Sequence, residues 1–149
     1  MAWSAPASGS TFVGAQAKKT ANQSIANNTA TAVSFEAENF DTDAFHDNST
    51  NNSRMTIPSG KGGKYLINCT LDFSSGAGAR IIMLYKNGAL EQYLNYYNGD
   101  GTYTTITSGT FITSVVATDY LEIFVEQSTG TNKNVGDNPT KFSIQYLGA

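Results

Sequence analysis

The chain has 149 residues, 14% of them charged and 40% hydrophobic, and carries a net charge of −3. That length suits one domain around one core, and the nine Lys and Arg, adjacent only at Lys18-Lys19, form no cluster for phosphate, which excludes nucleic acid as a partner. The lone Cys69 excludes an internal disulfide and a thiolate metal site.

Residues 1–30 are rich in Ala, Ser, Thr and Asn, with Trp3, Phe12, Val13 and Ile25 as the large apolar side chains. They read as an N-terminal arm and lead-in strand before a body spanning residues 31–149. The start lacks the basic and apolar segments of a signal peptide, and no run reaches the length of a membrane span. Synthesis in a cytosol and no membrane partner are the expectations.

Within the body, strand patterns alternate with turn residues. Thr31–Glu36 alternates in polarity, Arg54–Ile57 is a short strand, and Pro58–Gly63 is a turn. In Tyr65–Phe73 the residues Tyr65, Ile67, Cys69, Leu71 and Phe73 share one face, and Asn68, Thr70 and Asp72 the other. This is the period of a half-buried antiparallel strand. Ile81–Tyr85 is apolar on both faces, which predicts cover on each side, and it ends in Lys86-Asn87-Gly88, a two-residue hairpin turn. Leu90–Tyr97 is the return strand, and Asn98–Gly101 a second turn.

Strands over Tyr103–Ile112, Tyr120–Gln127 and Lys141–Leu147 follow, with Ser128–Pro139 a polar loop between the last two. Many short strands with such punctuation predict an all-β antiparallel sandwich or jelly roll. Its core should include Ile67, Leu71, Ile81, Met83, Ile123 and Phe142.

Several motifs occur in a telling order: Val33-Ser-Phe35 before Phe40-Asp41, Ile57-Pro-Ser-Gly60 and Gly63-Lys-Tyr65 leading into the long strand, and Arg80–Gly88 ending in Asn-Gly. Val115–Val125 and the closing Phe142–Gly148 complete the series. Together these resemble the family that joins tumour necrosis factor-like ligands and the globular head of the first complement component. The resemblance covers roughly residues 31–148. Two departures stand out: Thr118-Asp119 replaces the usual Gly-Asp, and the paired aromatics expected near the start of the long strand are reduced to Tyr65. The resemblance implies a double-sheet jelly roll that forms homotrimers through one aromatic sheet. Relatives of this type include bacteriophage fibre tips and capsid-decorating proteins, and a chain without a secretion signal sits better there than among secreted ligands.

On Tyr120–Glu126 the residues Leu121, Ile123 and Val125 form one apolar face, leaving Tyr120 and Phe124 beside Glu122 and Glu126 on the other. Aromatics on a face expected to meet solvent point to a trimer interface, with Tyr146 on the last strand as companion; the plainer reading is cover from the subunit's own loop. Tyr93, Tyr96, Tyr97 and Tyr103 surround the Asn98 turn and offer a surface for a glycan or protein ligand, although cross-strand packing also explains such residues. Trp3, the only tryptophan, is a candidate anchor for a partner protein.

Groups suited to chemistry are sparse. His46 is the only histidine, so a Ser-His-Asp triad has a single candidate base. Asp41, Asp43 and Asp47 offer oxygen ligands to a hard cation, but the spacing lacks the Gly and final Glu of a calcium loop. Glu36, Glu38, Glu91, Glu122 and Glu126 supply carboxylates without marking any pair as a glycosidase site. The expectation is no enzyme, no cofactor and no bound metal. The sequence reads as a virion structural protein, a trimeric capsid decoration or cement protein whose partners are its own copies and a major capsid or other virion protein. The alternatives are a fibre tip that binds a receptor or glycan, and an extracellular binding module.

Overall fold

The computed structural model describes residues 12–149. Twelve strands occur among them: β1 Gly14–Lys18, β2 Gln23–Ile25, β3 Thr31–Ala32, β4 Ala37–Asp41, β5 Arg54–Thr56, β6 Gly63–Phe73, β7 Ala77–Lys86, β8 Ala89–Asp100, β9 Thr105–Val115, β10 Tyr120–Gln127, β11 Lys133–Val135 and β12 Lys141–Gly148. They form two antiparallel sheets. The first runs β2-β11-β6-β12-β1-β4, with β9 on the other edge of β6. The second runs β3-β10-β7-β8, with β5 also paired to β10.

Alternation along the long strands explains the layering. In β6 the inward Tyr65, Ile67, Cys69, Leu71 and Phe73 are fully buried, and they face Leu121, Ile123 and Val125 of β10 with Ile82 and Leu84 of β7 in one core. Each buried aliphatic or aromatic side chain contributes about 1.5–3 kcal/mol relative to exposure. The hairpin from β7 to β8 turns at Asn87 and Gly88, with φ of 53° and 79°, the left-handed pair that a type I′ turn requires.

The expected double-sheet jelly roll is therefore present, with differences in detail. β1 lies between β12 and β4, inside the first sheet, because Ala15 and Ala17 are small enough to sit fully buried against it. The boundary drawn at residue 30 thus marks a change of composition between β2 and β3. β8 continues through Asn98 to Asp100, so the second turn falls later than Asn98–Gly101. The polar 128–139 segment contains β11, whose Val135 is fully buried beside Phe73. Ile81 is half-buried and faces outward, and its place in the core is taken by Ile82. No second layer of the described chain covers the outward face of β7; Met83 is nonetheless buried there, in register with Phe124 and Tyr93.

An arginine also lies inside. Arg80 is fully buried, and its guanidinium donates to the carbonyls of Gly78 and Ala79 from Nη1 and of Ser74 and Gly76 from Nη2, at 3.0–3.2 Å. Burial lowers its pKa, but these acceptors offset the desolvation cost that an unpaired cation would incur. The cation thereby organises the turn leading into β7.

Candidate functional site

The outward face of the second sheet carries the aromatics singled out on β10. Phe124 stacks on Tyr85 with ring centroids 4.0 Å apart and planes 20° from parallel. Arg54 of β5 lies 4.0 Å above the Tyr120 ring, and its Nε is 3.4 Å from the Glu122 carboxylate. Ser53 Oγ donates to the same carboxylate oxygen at 2.7 Å, so the buried Glu122 is satisfied within its own sheet. Register places Leu90, Tyr93 and Tyr96 of β8 opposite Tyr85, Met83 and Ile81 on this face. Tyr120 and Phe124 thus have partners in their own chain, while Tyr93 and Tyr96 remain 59% and 67% exposed.

The other residues singled out lie elsewhere. Tyr146 belongs to the first sheet and packs on the buried Tyr65 at 5.3 Å, on the core side, so it shares no surface with Tyr120 and Phe124. Tyr97 pairs with the inward Arg80, and Tyr103 sits in the turn beyond β8. The four tyrosines therefore divide into an outward pair and two separate residues. Trp3 falls outside the described residues.

The outward face of the first sheet has no aromatic cluster at its centre, and so no aromatic signature in the strand sequences that build it. Across β9, β6 and β12 it presents Ile112-Leu66-Gln145, then Thr110-Asn68-Ser143, then Ser108-Thr70 and Lys141. The polar members satisfy one another: Asn68 Nδ2 donates to Thr110 Oγ1 at 2.9 Å, and Gln16 Nε2 to Ser143 Oγ at 2.8 Å. Ile106 and Ile112 are 60% and 54% exposed, and Leu147 is exposed nearby. On the β4 side, exposed Phe12 and Phe40 meet edge to face at 5.4 Å. Charged residues on this face, Lys64, Asp72, Lys141 and Lys18, lie toward the strand ends.

The acidic loop organises itself. Asp41 accepts the backbone N–H groups of Asp43, Phe45 and His46 at 2.9–3.2 Å. Lys61, 2.8 Å from Asp43, together with the Thr42 hydroxyl holds that carboxyl below its usual range. The N–H groups of Thr50 and Ser49, with the Ser49 hydroxyl, do the same for Asp47. Among the described residues no group of three or more His, Cys, Asp or Glu is placed to hold a metal ion. A shallow cleft of about 190 Å³ opens beside this loop, lined by His46, Asp47, Thr50, Asn51 and Arg54 among others. The glutamates considered for hydrolysis are mostly committed: Glu36 to Lys19, Glu38 to His46, Glu91 to Lys86 and Glu122 to Arg54.

No protein-family profile matches the chain, and no curated protein matches it in sequence. Solved structures do. Murine APRIL at pH 5.0 superposes with a TM-score of 0.64 at 9% identity, over 92% of this chain and 100% of that one. The globular domain of zebrafish complement 1qA protein gives a TM-score of 0.63 at 10% identity, over 91% and 98%. At such identities the likeness is one of architecture, and it spans more than nine-tenths of each chain: this chain has the jelly-roll fold shared by tumour necrosis factor-like ligands and complement globular heads.

Proposed function

We propose that this chain is a non-catalytic head that assembles as a homotrimer through the outward face of its first sheet. The observation that carries the reading is that face itself, which is free of charge at its centre and exposes Ile106, Ile112 and Leu147. Depletion of charge at the centre of a patch, more than bulk hydrophobicity, distinguishes protein interfaces from ordinary surface. Mutual pairing of Asn68, Thr110, Gln16 and Ser143 means that the polar groups there would lose little on leaving water. Tyr120 and Phe124, engaged with Arg54 and Tyr85, are the weaker basis for self-contact. Light scattering tests the reading: the protein should be trimeric at micromolar concentration, and Ile112→Glu should yield a folded monomer, because a buried unpaired carboxylate is costly. A monomeric wild type overturns it.

The role of the trimer is the decoration of a bacteriophage capsid, with Trp3 as the anchor on a neighbouring virion protein. Support comes from the polar segment that carries Trp3 before the body; the sequence motifs bear on the fold alone. Three weak contacts per trimer become durable through effective concentration. Deleting residues 1–10 should leave the trimer intact and abolish attachment to purified capsids. Undiminished occupancy places attachment on the jelly roll, and binding to whole host cells instead of capsids favours the fibre-tip alternative, with Tyr93 and Tyr96 as contacts.

A further inference from the structure

The side chain of His46 is fully buried, and each of its ring nitrogens faces a group that accepts hydrogen bonds. Nδ1 lies 3.0 Å from Glu38 Oε1, and Nε2 lies 3.1 Å from the carbonyl oxygen of Asn52. A carbonyl cannot donate, and a carboxylate in its ionised form cannot donate either. A neutral imidazole has one N–H, so it makes one of these bonds and turns a lone pair toward the other oxygen. Both bonds form together only when the imidazole and carboxylate hold one further proton between them.

The two acceptors belong to different layers. Glu38 is on β4, at the edge of the first sheet, and Asn52 lies two residues before β5 of the second. The Asn52 carbonyl also accepts the Phe35 N–H at 2.9 Å, and Phe45 beside the histidine accepts the Thr56 N–H at 2.7 Å. Within the loop Ala44 at φ 60° and Asn51 at φ 59° adopt the left-handed region, a conformation that is costly for the alanine and is held by these ties.

We propose that His46 is a proton-dependent clamp that closes the seam between the two sheets when the imidazole is charged and loosens the 42–53 loop when it is neutral. Histidine is the side chain whose charge changes near neutral pH. Other charged groups around it are accounted for. Glu38 faces Nδ1 from β4; the Asp41 carboxylate, at the end of that strand, holds the His46 backbone N–H at 2.9 Å. Asp47 follows in the loop, and Arg54 of β5 lines the same cleft. Asp43 is neutralised by Lys61. Loosening would open the polar cleft beside Asp47 and Arg54, making its width depend on pH.

The test uses the full-length ¹⁵N-labelled protein, followed by NMR from about pH 5 to pH 8.5. Ring nitrogen shifts should report a doubly protonated imidazole at the acidic end. As the ring titrates, exchange protection factors at the Phe35, His46 and Thr56 amides should fall by about tenfold, the scale of one lost charge-assisted bond, while amides of β6 hold theirs. Glu38→Gln, a shape-conserving change at a partly exposed side chain, supplies an amide that can donate to a neutral Nδ1 and should therefore remove the pH dependence of that protection. A ring already neutral at pH 5, loop protection that ignores pH, or an unchanged pH dependence in Glu38→Gln would each overturn the clamp.

Discussion

On the outward face of the second sheet Phe124 lies parallel to Tyr85 and Arg54 covers Tyr120, whereas on the first sheet Ile106 and Ile112 stand exposed among Thr, Ser and Asn. The second face carries far more aromatic surface, yet part of it is already satisfied inside the chain. The first carries less apolar area, but its centre has no charge that would have to be desolvated by a neighbour. Apolar content alone therefore does not identify a contact face; what matters is whether the side chains already have partners and what lies between them.

A substitution in the layer beneath both faces sets the scale. Leu71→Ala removes a fully buried side chain and should cost about 2–5 kcal/mol in denaturant unfolding, leaving any assembly of the folded fraction unchanged. Phe124→Ala would sharpen the contrast: it should cost about 1–2 kcal/mol through lost area and the Tyr85 stack, yet leave light scattering as in the wild type. If it dissociates the protein while Ile112→Glu does not, the roles of the two faces are exchanged.

The loop joining the sheets offers a finer probe. Thr118 adopts φ of 74°, a conformation that penalises a β-branched residue and suits glycine. Thr118→Gly should raise stability by about 0.5–1 kcal/mol, relief of strain being partly offset by a more flexible unfolded chain; a loss of stability would show that the Thr side chain contributes more than its strain costs. Next to it, Asp119 is held below the usual carboxylate range, first by the Asn87 side chain and then by the Val116 N–H. A carboxyl depressed on folding stabilises above its unfolded pKa and ceases to do so as pH falls through the folded value. Asp119→Asn should therefore flatten the acid limb of a plot of melting temperature against pH below about 4, with a small effect at neutrality because the group is largely solvated. An acid limb identical to the wild type would remove Asp119 from that account.

Legibility differed among elements for physical reasons. β6 was plain because its strict alternation of large apolar and polar residues mirrors a strand with one buried face. β1 was obscure because its buried residues are Ala15 and Ala17, which carry almost no hydrophobic period. β7 reads as covered on both sides because Ile81, Met83 and Tyr85 are apolar, although Ile81 and Tyr85 are only half-buried on the outward face, where Met83 is buried in register with Phe124 and Tyr93. Tyr146 resembles Tyr120 and Phe124 in residue type alone, and only register assigns it to the core side of the other sheet. The His46 contacts had no local signature, since Glu38 and Asn52 meet it through the joining of two sheets.

By itself the sequence determined the all-β character, the inward faces of β6 and β10 and the Asn87-Gly88 turn, because period, branching and backbone freedom are local properties of the chain. Tertiary structure alone decided which aromatics are satisfied, which outward face is free of charge at its centre, where Arg80 finds its carbonyls and what His46 touches. Those outcomes depend on which strands become neighbours, and strand pairing joins residues too distant in sequence for any local pattern to encode.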